Sequence, residues 1–89
     1  MKSVTTQAFR RLYAKATKER QNKIRRAFRL WILDPNHPSL RFKKVHNSMP
    51  IYSARVDLDW RAVGVLKNET MVWFWVGSHQ HYEELLKSI

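Results

Sequence analysis

Five residues, Asp34-Pro35-Asn36-His37-Pro38, divide this chain into two halves with different hydrophobic periods. Proline cannot continue a helix, and it biases the residue before it away from helical geometry. Ahead of this segment apolar residues recur every three to four positions; beyond it they alternate with polar ones. Helices and strands are therefore segregated along the sequence, which predicts an α+β fold.

Phe9, Leu12, Tyr13 and Ala16 stand at i, i+3, i+4 and i+7, so residues 7–16 read as an amphipathic helix capped by Thr5 or Thr6. A second helix runs from about Lys18 to Leu33. Thr17 can cap it, Glu19 suits its first turn, and Ile24, Ala27, Phe28 and Trp31 form its apolar stripe. The two make an N-terminal helical hairpin with greasy faces that must pack on something. After the proline segment, four strands are expected at Arg41–Val45, Ile51–Val56, Trp60–Leu66 and Met71–Val76, with Lys67-Asn68-Glu69-Thr70 turning between the last two. Val72 to Val76 is apolar without a break, as in a strand covered on both faces. Residues 79–89 read as a short C-terminal helix, and residues 2–5 can add an edge strand. The expectation is a helical hairpin packed on a twisted antiparallel sheet of about four strands, with residues 1–89 forming one domain.

Composition narrows the function classes. Cysteine is absent, which excludes disulfides and thiol chemistry and suits a reducing cytoplasm. No run of 18 apolar residues occurs, and the start lacks the apolar stretch of a signal peptide, so a cytoplasmic protein is expected. The net charge is +10, and it is unevenly placed: residues 1–45 carry 13 basic and 2 acidic side chains, residues 46–89 carry 4 and 5. Such an imbalance predicts a polyanionic partner, nucleic acid or an acidic protein segment.

Two constellations can carry chemistry. If Val56 pairs with Trp60 around a three-residue loop, Arg55 faces Arg61 directly. Tyr52, Ala54, Val56, Trp60 and Ala62 then share one face, and Ser53, Arg55, Arg61, Val63 and Val65 the other. Like charges directly opposite destabilise a sheet, so this pair calls for an anion, which two planar guanidinium forks can grip. A two-residue loop would send the arginines to opposite faces. Ordinary ion pairs, Arg55 with Asp57 or Asp59 and Arg61 with Glu69, are the alternative. The second constellation is Gly77-Ser78-His79-Gln80-His81-Tyr82, where Gly77 permits a sharp turn, histidine can move a proton and tyrosine can donate or stack. Two histidines without a cysteine or nearby carboxylate make an incomplete metal set, so no metal is expected. Polar helix-start residues with Tyr82 in the core are the alternative reading.

The layout resembles toxins of the RelE/ParE superfamily. The strings that carry the likeness are Phe9-Arg10-Arg11-Leu12-Tyr13, Asp34-Pro35-Asn36-His37-Pro38-Ser39-Leu40 and Tyr52-Ser53-Ala54-Arg55-Val56, followed by Trp60-Arg61-Ala62-Val63-Gly64 and Trp73-Phe74-Trp75-Val76-Gly77-Ser78-His79. They look like a RelE-like branch and span nearly the whole chain in order. The resemblance implies a type II toxin–antitoxin toxin that cleaves messenger RNA on the ribosome without a cofactor, the RNA 2′-hydroxyl being the nucleophile. It implies Arg55 and Arg61 at the phosphate, and His79, His81 and Tyr82 in acid–base work or base contact. Lys43, Lys44, Arg20, Lys23 and Arg26 would meet RNA phosphate, and an acidic antitoxin would be the partner. Ser53 and Ala54 stand where some RelE enzymes carry lysines, and Asp57 and Asp59 read as turn residues. The alternatives are a ParE-like inhibitor of DNA gyrase or a non-catalytic basic module that binds RNA or protein.

Overall fold

A computed structural model describes residues 2–89. The order is β1 (Lys2–Thr5), α1 (Gln7–Lys15), α2 (Lys18–Leu33), a 3-10 turn (Pro38–Leu40), β2 (Lys43–Lys44), β3 (Ile51–Arg55), β4 (Trp60–Lys67), β5 (Thr70–Ser78) and α3 (His79–Ser88). Each helix starts where a hydroxyl can satisfy an orphan amide. Thr6 accepts from the Phe9 amide at 3.1 Å, Thr17 from Arg20 at 3.2 Å and Ser78 from His81 at 3.3 Å. The Gln21 side chain donates to the Tyr13 carbonyl at 2.9 Å and ties the corner between α1 and α2.

The sheet order is β1-β5-β4-β3-β2. The expected antiparallel strands are present, and Lys2–Thr5 adds a fifth at the edge, parallel to β5 with Val4 opposite Val72. The sheet is therefore mixed. The first of the four antiparallel strands is shorter than expected, Lys43–Lys44 rather than 41–45. Arg41 closes the 3-10 turn in the left-handed region, φ 43° and ψ 42°, so the chain becomes extended only after it. The last strand is longer, because Gly77 and Ser78 stay in β5. Gly77 is not a turn residue: a Cβ there would come within 2.7 Å of the Trp75 ring, so its role is to let that ring lie across the strand. A bulge at Val63/Gly64 pairs Val63 with Trp75 and Gly64 with Trp73, leaving Phe74 as the extra residue.

The sheet separates two apolar clusters. Phe9, Ile24 and Trp31 of the hairpin pack with Ala54, Ala62, Met71, Trp73 and Val76 on one face. The Trp31 ring meets Trp73 edge-on at 5.3 Å and Phe42 at 5.7 Å. On the other face Ile51, Val63 and Tyr82 form the second cluster, with Leu85 and Leu86 of α3 against it. β5 is thus covered on both sides, as its apolar run requires. Among the described residues no helix is long and apolar enough to cross a membrane.

Candidate functional site

The site begins at the β3–β4 connection. Val56 N–H donates to the Trp60 carbonyl at 3.0 Å, which leaves a three-residue loop and places Arg55 directly opposite Arg61. The loop contains no left-handed residue. Asp57 replaces that device: its Oδ1 accepts from the amides of Asp59 at 2.8 Å and Trp60 at 2.9 Å, an Asx-type turn. Its other oxygen, Oδ2, takes the Arg20 guanidinium at 2.7 Å and Lys23 Nζ at 3.5 Å. Burial pushes the Asp57 carboxyl upward. The Asp59 amide, the Arg20 charge, the Trp60 amide and the Lys23 charge outweigh it and hold the group below the ordinary carboxylate value.

Asp57 is engaged by α2, and the alternative ion pairs of the two arginines do not form. Among the described residues no ion pair includes Arg55 or Arg61. Arg61 Nη1 donates to the loop carbonyls of Asp57 at 2.8 Å and Trp60 at 3.0 Å, which fixes this guanidinium at the strand end. Burial and the Arg55 charge, with Tyr82 opposing them and Arg41 adding to them, leave the Arg61 pKa below its ordinary value. Two arginines thus stand opposite each other on neighbouring strands, neither of them ion-paired among the described residues, an arrangement an oxyanion would relieve.

The C-terminal motif is brought to the same end of the sheet. Arg61 pairs with Gly77 and Trp60 with Ser78. The His79 amide donates to the Asp59 carbonyl at 2.6 Å, which pins the start of α3 to the β3–β4 loop. His79 Nε2 lies 3.1 Å from Glu83 Oε1 on the next turn. Tyr82 is 6% exposed and donates its hydroxyl to Ser53 Oγ at 3.1 Å, so it anchors α3 to β3. His81 turns elsewhere: its Nδ1 is 2.9 Å from Ser78 Oγ, and it lines a groove of about 540 Å³ with Lys15, Arg20, Trp60 and Trp75. The two histidines therefore face different neighbours. Among the described residues no three His, Cys, Asp or Glu gather as metal ligands would.

The basic residues divide in the same way. Lys43 and Lys44 are exposed on the edge strand, Lys43 opposite Ser53 and Lys44 opposite Tyr52, so Lys43 shares the face of the arginine pair. Arg20 stacks over Trp60 at 5.0 Å as well as pairing with Asp57, and Lys23 also approaches Glu19 at 3.5 Å. Both are partly engaged within the fold. Arg26 is exposed beside a groove of about 370 Å³ that Arg55 and Asp57 also line. Asp57, Trp60 and Asp59 are site-building residues that reading them as turn residues or core leaves out. Their signal lay in Asp57-Leu58-Asp59-Trp60 itself, an Asx-turn pattern between strands. A further groove, about 330 Å³ and almost wholly apolar, runs between α1 and α2: Phe9, Tyr13, Ile24 and Phe28 line it and Arg10, Arg25 and Arg29 edge it.

With this geometry in place, likenesses to known proteins can be set beside it. A family model described as a ParE-like toxin domain matches residues 18–84. The structure is similar to that of YafQ from E. coli, with a TM-score of 0.73 at 18% identity, covering 90% of this chain and 94% of that one. It is similar to a YoeB/ParE toxin from Agrobacterium tumefaciens, TM-score 0.69 at 20% identity, covering 89% and 99%. A chain of the RelB-RelE antitoxin-toxin complex from Methanococcus jannaschii matches with TM-score 0.68 at 12% identity, covering 92% and 96%. No curated protein matches by sequence.

Proposed function

Since the chain belongs to the ParE-like toxin-domain family, we propose that it is the toxin of a type II toxin–antitoxin pair and cleaves messenger RNA on the ribosome. In this reading residues 1–89 act as one domain in the cytoplasm. The observation that carries it is the Arg55–Arg61 pair, opposed in register and free of carboxylate partners among the described residues.

The reaction uses the RNA's own 2′-hydroxyl. Its oxygen attacks the adjacent phosphorus, its proton passes to a base, and the 5′-oxygen of the next nucleotide leaves with a proton from an acid. A 2′,3′-cyclic phosphate and a 5′-hydroxyl result. Arg55 and Arg61 hold the non-bridging oxygens and offset the charge that builds on them. His79, exposed beside Asp59 and hydrogen-bonded to Glu83, supplies proton transfer. Tyr82, buried against Ser53, positions α3 for it, and His81 borders the neighbouring groove where a base can stack near Trp60. Lys43, Lys44 and Arg26 meet ribosomal or messenger phosphate, and Arg20 and Lys23 contribute to the same field. The antitoxin offers an acidic, amphipathic segment to the arginine-edged apolar groove between α1 and α2.

Programmed ribosomes incubated with the protein test this. Cleaved transcripts ending in cyclic phosphate are expected. Arg55→Ala and Arg61→Ala each lower the rate by about 10²–10³, the usual effect of removing one donor to a developing oxyanion. Intact transcripts together with gyrase-dependent DNA damage on induction would instead identify a gyrase inhibitor.

A further inference from the structure

Arg20 lies on α2, away from the strands that carry the arginine pair, yet its guanidinium is committed to the loop between them. Its Nη1 is 2.7 Å from Asp57 Oδ2, and its guanidinium carbon stands 5.0 Å from the centre of the Trp60 ring. Lys23, the other α2 cation at this carboxylate, is held less closely. Its Nζ is 3.5 Å from Asp57 Oδ2 and equally 3.5 Å from Glu19 Oε1.

We propose that Arg20 is a positioning residue of the candidate site, one that acts through the Asp57 carboxylate to fix the loop on which Arg61 and His79 are set. This rests on the reading of Arg61 and His79 as groups that act on RNA. The contacts run in sequence from α2 to both groups. Asp57 is gripped at both oxygens: Oδ2 meets Arg20, and Oδ1 accepts from the Asp59 and Trp60 amides at 2.8 and 2.9 Å. The turn closed in this way brings the Asp57 and Trp60 carbonyls to Arg61 Nη1, at 2.8 and 3.0 Å. Those bonds occupy one amino group of the guanidinium and leave its remaining N–H donors for an anion. The same turn presents the Asp59 carbonyl, which takes the His79 amide at 2.6 Å.

An ion pair on an open surface contributes little, because water competes for both partners. This pair is sheltered: the two side chains are 28% and 19% exposed, and the Trp60 ring lies against the guanidinium. A misplacement of about 1 Å at a reacting group can cost about 10²-fold in rate, so an anchor that touches no substrate can still govern the chemistry.

The test measures cleavage on programmed ribosomes together with amide exchange in the free protein. Arg20→Ala is expected to lower kcat by about 10–100-fold while KM changes by less than about twofold. Arg20→Lys keeps the charge at Asp57 and recovers most of the loss. Asp57→Asn leaves an acceptor for the loop amides but no charge for Arg20 to hold, and it lowers kcat to a similar extent. In that background Arg20→Ala costs less than about threefold more, since the two residues act as a unit. A raised KM at unchanged kcat, or an equal loss in both backgrounds, overturns the proposal, because either places Arg20 on RNA rather than on the loop. Amide exchange does not depend on the reaction. The His79 and Trp60 amides are expected to exchange about 10-fold faster in Arg20→Ala, and the Leu86 amide, at the far end of α3, at the wild-type rate. Unchanged exchange at His79 and Trp60 also overturns the proposal. If the wild type cuts no transcript, the proposed function is wrong, and the exchange result still decides whether Arg20 sets the loop.

Discussion

At Asp57 one side chain, 19% exposed, accepts from two backbone amides and from cations on α2, so loop shape and helix position depend on the same carboxylate. Its folded pKa lies below the ordinary value. A depressed carboxylate stabilises the fold fully above its unfolded pKa, about 3.9, and that contribution disappears as pH falls through the folded value. Asp57→Ala is expected to cost about 1–3 kcal/mol by leaving the amides and Arg20 without their acceptor. That lowers Tm by roughly 4–8 °C per kcal/mol in a domain of this size. Asp57→Asn keeps an acceptor for the amides and melts between the two. Thermal melts from pH 7 to pH 3 check both points: the Asn variant loses less on acidification than the wild type, and equal losses would contradict the assignment. The opposed arginines were legible from the alternation of Tyr52 to Arg61 once a three-residue loop was assumed. What the loop sequence does not show is the hold of α2 on the Asp57 carboxylate, through Arg20, 37 residues away.

Among the elements, the β4–β5 hairpin carries the most visible strain. Asn68 and Glu69 both have positive φ, 49° and 64°, between the paired Lys67 and Thr70. This is the two-residue turn whose twist suits a hairpin, and it favours glycine at the second position. Glutamate there is strained by its Cβ. Glu69→Gly is expected to raise stability by about 0.5–1 kcal/mol, the strain relief less the entropy of the added glycine. A Tm unchanged or lowered would show that Glu69 makes a compensating contact. The turn itself was readable from Lys67-Asn68-Glu69-Thr70. The divergence of His79 and His81 was not, since it follows from where α3 docks. Tyr82 reaching Ser53 and the His79 amide reaching Asp59 set that position, and both contacts cross the sheet.

Over the whole molecule, 13 of the 17 basic residues lie in the first 45. The fold places them on β1, the helical hairpin, β2 and the turn that leads into β2. Single-stranded RNA binding should therefore weaken with salt, each phosphate contact adding about −0.7 to the slope of log K against log salt. Titration between 50 and 200 mM salt (about these limits) is expected to give a slope of roughly −2 or steeper, and a flat response would remove nucleic acid as the partner. Helix and strand identities, the two-sided burial of β5 and the charge asymmetry were settled by neighbours in the chain. Period, capping hydroxyls and proline act over a few residues, so they can be read without knowing the fold. The parallel direction of the Lys2–Thr5 edge strand and the hold of α2 on Asp57 came only with the tertiary structure. Each joins segments far apart in sequence, and such pairings depend on which surfaces compete to be buried together, a quantity no local pattern contains.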